Sequence, residues 1–133
     1  MQGQEVRIIP LPAVYVMETT MPETMVDSVN DYIDEYRKKE DRKSLAPTLV
    51  GQIHQGEQLL LDHTDERLAE YTQFICNLGA DYINYYASSG NKVSGPKQVE
   101  TDETWSVHSY DGDYNPIHDH GTKTVMGLST TAW

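Results

Sequence analysis

The sequence is poor in cysteine, in basic residues and in long apolar runs, and each shortage excludes a class of protein. The single cysteine, Cys76, cannot form a disulfide within the chain, so a reducing, cytoplasmic compartment is expected. Ten basic residues stand against 21 acidic ones, which gives a net charge of −11. Such a surface repels phosphate backbones and argues against a nucleic-acid partner. No apolar stretch approaches the roughly 20 residues that a membrane span requires.

Two helices are predicted by apolar side chains that recur at three- and four-residue steps. The length of 133 residues suits one domain, residues 1–133, with a real core. The first helix is expected to begin at a capping box, Thr20 to Glu23, and to run to about residue 39, and the second to follow Thr64 as its cap. The apolar faces of both should be largely buried, at Met25, Val29, Ile33, Leu68, Tyr71 and Ile75.

Extended segments are predicted near both ends of the chain. Residues 6–9 and 13–17 are short apolar segments, whereas residues 40–63 are expected to be mostly loop. From Glu103 the pattern has a period of two, which favours a half-buried strand, and Asp111-Gly112-Asp113 is typical of a turn. Residues 125–133 are rich in threonine and β-branched side chains, which predicts a further extended segment. Its open edge would pair with a second chain, so a homo-oligomer is expected.

The strongest chemical signal follows the turn, where His118, Asp119 and His120 are consecutive. On a strand the two histidines project from the same face and Asp119 from the other. Imidazoles and a carboxylate are ligands that suit non-haem Fe(II), whose facial triad leaves positions open for other ligands. A His-x-His pair also occurs without a metal, so from spacing alone a metal site and a plain pair of histidines both stay open.

The remaining histidines and a cluster of basic residues are expected to have structural rather than functional roles. His54, His63 and His108 have no comparable neighbours and are expected to be surface or packing residues. The basic cluster Lys38, Lys39, Arg42 and Lys43 favours a solvated helix end, where cations suit the helix dipole, over a phosphate site.

The wider pattern resembles the 2-oxoglutarate- and Fe(II)-dependent oxygenases found in bacterial and phage genomes. It is carried by Trp105, Tyr110, Gly112, Asn115, His118 and His120, followed by Leu128-Ser129. The prolyl 4-hydroxylase group has a related Tyr…Gly…His-x-Asp arrangement. The resemblance extends over nearly the whole chain, but only residues 105–129 are specific. It implies an α+β fold in which N-terminal helices pack on a double-stranded β-helix (a jelly roll, as in cupins), with this chain as the N-terminal part of that domain.

The same resemblance implies roles for single residues. His118 and His120, or Asp119 in place of His120, would hold Fe(II), and Tyr110 and Asn115 would orient 2-oxoglutarate; no catalytic residue is assigned. Such enzymes carry a further histidine and an arginine on later strands, and neither residue type follows His120 here. The Ser-Gly element is also altered, because Thr130 follows Ser129.

The sequence therefore predicts a 2-oxoglutarate-dependent hydroxylase of unknown substrate that is inactive as this chain. The sequence leaves two alternatives open. One is a non-catalytic jelly-roll module for interaction or assembly, and the other is a cupin-like metal protein of different chemistry.

Overall fold

A computed structural model describes residues 6–11, 14–92, 98–116 and 128–132. Within them the chain has a mixed α/β architecture with two helices and two small antiparallel sheets. The strands are β1 (Val6–Leu11), β2 (Val14–Thr19), β3 (Glu57–Leu61) and β4 (Thr104–His108), and the helices are α1 (Glu23–Arg37) and α2 (Ala69–Ser88). No helix among these residues is both long and apolar enough to cross a membrane.

The two predicted helices are present, but neither begins as expected. The residue before α1 is Pro22, which has no capping side chain, and its carbonyl accepts the N–H groups of Met25 and Val26. Before α2, Asp65 replaces Thr64 as the cap of a short 3-10 turn, Glu66–Leu68, by accepting from the backbone N–H of Arg67. The Thr64 hydroxyl instead donates to a carboxylate oxygen of Asp62 at 2.6 Å.

The N-terminal segments form an antiparallel hairpin, β1 with β2, that is attached to α2 through tyrosines. The Tyr15 ring makes edge contacts with Tyr85 and Tyr86, with ring centroids 5.5 and 5.9 Å apart. The Tyr82 hydroxyl donates to the Tyr15 carbonyl at 2.9 Å. These contacts therefore pack the hairpin against the end of α2.

The core lies between α1 and the β3–β4 sheet. Leu59 and Leu61 pack with Tyr32 and Leu68, and the α1 stripe lies against this cluster. Of the six side chains predicted to be buried, Met25 and Leu68 are, whereas Val29, Ile33, Tyr71 and Ile75 are half-buried. A sheet of two strands is narrow, so residues at the edge of each helical stripe keep part of their surface in water.

Two expectations about strands are changed by the structure. The segment 40–63, expected to be mostly loop, contains β3, which pairs with β4 from Glu57 opposite His108 to Leu61 opposite Thr104. Its other side is joined to residues 43–45, where Leu60 donates to the Lys43 carbonyl and Leu45 to the Gln58 carbonyl. At the C-terminus, residues 128–132 are exposed and not in a strand, whereas residues 125–127 and 133 lie outside the described ranges.

Candidate functional site

The chain leaves β4 through the predicted turn, which the structure confirms at residues 110–113. The Asp113 N–H donates to the Tyr110 carbonyl at 2.9 Å, and Gly112 has a φ of 87°. That left-handed conformation strains a residue with a Cβ, which explains a glycine at this position. The turn therefore sets the direction of the chain towards residues 114–116.

A single carboxylate, that of Asp113, joins this turn to the loop before β3. One oxygen accepts the backbone N–H of His54 at 2.7 Å and that of Gln55 at 3.3 Å, and the other accepts the N–H of Tyr110 at 3.0 Å. Because these N–H groups stabilise the charged form, the pKa of Asp113 lies below its ordinary value of 3.8.

The same loop also holds the backbone just after the turn. Gln52 and Tyr114 exchange backbone hydrogen bonds of 2.7 and 2.8 Å. A Cβ added to Gly51 would collide with the Tyr114 carbonyl, and one added to Gly56 would collide with the His108 carbonyl. Glycines at these two positions therefore permit the close approach that fixes the chain as far as Asn115.

On the α1 side of the sheet, a charged cluster surrounds the end of β4. Glu57 binds Arg42 at 2.8 Å through one oxygen and Arg37 at 3.6 Å through the other. Arg37 also donates to the Tyr110 hydroxyl at 3.1 Å. Burial, followed by the charge of Arg37, lowers the pKa of His108 from its ordinary value of 6.5 and so favours the neutral imidazole.

This cluster was not predicted from the sequence. Its members are far apart along the chain, and only the pairing of Glu57 with His108 in the sheet brings them together. The basic cluster after α1 is correspondingly engaged: Arg42 binds Glu57, and Lys39 lies 5.6 Å from the centre of the Tyr36 ring. Arg42 is therefore paired with a carboxylate within the fold, and the preference for a solvated helix end over a phosphate site stays a prediction.

The predicted site residues fall into two groups. His118, Asp119 and His120 lie outside the described residues. Tyr110 is exposed and contacts α1 through Arg37, while Asn115 is exposed beside a depression of about 50 Å³ at the end of the β3–β4 sheet. In the described part of the chain, no three His, Cys, Asp or Glu side chains lie close enough to hold a metal ion.

Comparison with known proteins gives no relative for this chain. No protein-family model matches it, and neither a curated protein nor a solved structure is significantly similar to it.

Proposed function

We propose that the chain is part of a cytoplasmic Fe(II)- and 2-oxoglutarate-dependent oxygenase, a hydroxylase of unknown substrate, whose complete fold is a jelly roll. The sequence pattern of residues 105–129 carries this proposal, and the two-sided character of the β3–β4 sheet supports the jelly-roll part of it. Leu59 and Leu61 face α1, whereas Val107 and its partner Gln58 face away, and Val107 is 61% exposed. Sheets in a jelly roll pack apolar faces together, so further strands would cover this second face.

The backbone framework that precedes the predicted metal ligands in the sequence is the second support. Asp113 and the Gln52–Tyr114 pair fix the backbone just ahead of His118. In the proposed site, His118 and His120 hold the iron, and Tyr110 and Asn115 orient 2-oxoglutarate. Neutral imidazoles are suitable donors for Fe(II). A facial triad has three protein ligands, so the two histidines alone leave it one ligand short. Iron and 2-oxoglutarate, when bound, would supply the activation of dioxygen for hydroxylation.

Anaerobic titration with Fe(II), with and without 2-oxoglutarate, tests the site directly. We expect one binding event per chain that is lost in His118→Ala and kept in the control His63→Ala, whose histidine lies in the turn before α2. Absence of binding in the unmodified chain would remove the metal assignment. Oxygen uptake that does not require 2-oxoglutarate would favour the cupin-like alternative.

The 133-residue chain by itself should not turn over 2-oxoglutarate. The sequence after His120 has no further histidine for the metal and no arginine for the distal carboxylate. Succinate formation measured against 2-oxoglutarate consumed checks this expectation. Stoichiometric turnover by the purified chain would show that the site is complete without those residues.

A non-catalytic assembly module is the second candidate, and the uncovered sheet face is the observation that favours it. The two proposals share one expected partner, another copy of the chain, which would contact residues 125–133. They differ in the metal, because a purely structural module has no need of a tight site at His118.

A further inference from the structure

Two arginines share one carboxylate in the charged cluster at the end of β4. Arg42 is the closer of the two, because its Nε donates to Glu57 Oε1 at 2.8 Å and its Nη2 lies 2.8 Å from the same oxygen. Arg37 Nε lies 3.6 Å from the other oxygen, which is longer than the usual N–H···O range of about 2.7–3.2 Å. These three side chains therefore carry one more positive charge than negative charge, and Arg37 has the weaker partner.

The second partner of Arg37 is neutral and can itself bind an anion. Arg37 Nη2 donates to the Tyr110 hydroxyl at 3.1 Å. A tyrosine hydroxyl that accepts this bond keeps its own proton, which it can donate to another oxygen. A guanidinium pairs with a carboxylate through parallel N–H···O bonds, and such charge-assisted bonds are stronger than neutral ones. Arg37 and Tyr110 therefore offer a guanidinium and a neighbouring O–H donor to one ligand.

Both groups can be reached from solvent. The Arg37 side chain is 33% exposed, and Tyr110 is 47% exposed. The depression beside Asn115 is lined by Glu57 as well, so the charged cluster and the depression adjoin. The chain as a whole carries a net charge of −11, which disfavours anions over most of its surface. A local surplus of positive charge therefore makes Arg37 the preferred position for a small anion.

We propose that Arg37 and the Tyr110 hydroxyl form a carboxylate site, which takes the distal carboxylate of 2-oxoglutarate. A carboxylate brings one negative charge, which equals the surplus of the cluster, whereas a phosphate group concentrates more than one beside Glu57. Arg37 then supplies the positive charge for which the sequence after His120 has no arginine. The identity of the ligand rests on the proposed function, whereas the carboxylate site rests on the contacts above and needs no iron.

NMR titration of the metal-free chain with succinate, at constant ionic strength, tests the carboxylate site. Succinate has two carboxylates and no oxo group, so it probes the charge pairing alone. The signals of the Arg37 Nε–H and the Tyr110 N–H should shift along one saturating curve, with a Kd of about 1–10 mM. The Nε–H of Arg7, an exposed arginine paired with Glu18 in the β1–β2 hairpin, is the internal control and should not shift. This measurement uses the unmodified chain, so it does not depend on the folding of a variant.

Matched variants separate a specific site from general attraction. Arg37→Gln should raise the succinate Kd at least about tenfold. Arg7→Gln changes the net charge equally and should leave that Kd unchanged. Arg37→Lys keeps the charge but loses the planar fork, so it should restore only part of the binding. Equal Kd values in the two glutamine variants, or tighter binding of inorganic phosphate than of succinate, would overturn the carboxylate site.

The carboxylate site and the proposed iron site can fail separately. Iron binding without a succinate shift at Arg37 would overturn the present inference and leave the oxygenase proposal intact. Succinate binding at Arg37 in a chain that binds no Fe(II) would uphold the carboxylate site and remove its assignment to 2-oxoglutarate.

Discussion

The carboxylate of Asp113 accepts a hydrogen bond from the backbone N–H of His54 at 2.7 Å, across 59 positions of the sequence. With the bonds to Gln55 and Tyr110, it joins the loop before β3 to the turn after β4. The β3–β4 sheet is consequently closed at this end by a side chain as well as by its own backbone ladder. Four consequences of the structure can be tested by mutation.

Asp113→Asn should lower the free energy of unfolding at neutral pH and make it depend less on pH in the acid range. In the folded state the pKa of this carboxyl lies below 3.8. The contribution of the carboxylate to the free energy of unfolding is therefore present above pH 3.8 and is lost as the pH falls through the folded pKa. Urea unfolding at several pH values measures both effects. Asp111→Asn, in the same turn, is the control and should leave the curve unchanged. Identical profiles for the two variants would show that the Asp113 bonds do not stabilise the fold.

Leu59→Ala should destabilise the chain by about 2–5 kcal/mol, because this side chain is fully buried beside Tyr32 and its loss leaves a cavity. Val50→Ala, at an exposed position, should change the free energy of unfolding by less than about 0.5 kcal/mol. Chemical unfolding monitored by circular dichroism gives both values. A small effect at Leu59 would mean that the cluster between α1 and the sheet is not a packed core.

Gly79→Ala should be destabilising although alanine favours helices. A Cβ at Gly79 would lie 2.8 Å from a methyl group of Val99 and 3.4 Å from a methyl group of Leu128. The collision with Val99 outweighs the gain of about 1 kcal/mol that alanine offers over glycine in a helix. In a Val99→Ala background the collision is absent, so Gly79→Ala should become stabilising there. The four thermal midpoints of this cycle decide the matter, and equal effects in both backgrounds would refute the close contact.

Tyr110→Phe should cost at most about 1 kcal/mol, because it removes the acceptor of one exposed hydrogen bond from Arg37. Tyr114→Phe removes an exposed hydroxyl from the next tyrosine and serves as the control. The proposed role of Tyr110 in binding 2-oxoglutarate adds a second readout, a weaker affinity measured by calorimetry with Fe(II) present. A loss of stability with unchanged affinity would assign Tyr110 to the fold alone.

Local patterns predicted the helices well and their beginnings poorly. The stripes around Tyr32 and Leu68 place both helices correctly, because a helix needs one apolar face to pack. The predicted capping residues were wrong at both helices, and α1 is preceded by Pro22, which has no capping side chain. Asp62 engages the Thr64 hydroxyl, and Asp65 becomes the cap.

Long-range contacts account for the features that sequence reasoning missed. The run Leu59 to Leu61 has no alternation that would predict a strand, and it becomes one only by pairing with β4 and with residues 43–45. The cluster of Arg37, Glu57 and Tyr110 likewise cannot be predicted from the residues next to each member in the sequence. The predicted iron ligands, His118 and His120, lie outside the described residues, and their assignment stays a prediction.

The sequence by itself determined the charge of the surface, the two amphipathic helices, the strand at β4 and the turn at Gly112. Each depends on neighbouring residues, through solvation, helical or strand periodicity, or the conformational freedom of glycine. Only the tertiary structure decided that α1 covers one face of the β3–β4 sheet and that Val107 is left exposed on the other. Alternation along β4 identifies two faces but cannot say which one is buried, because that depends on where a distant helix packs.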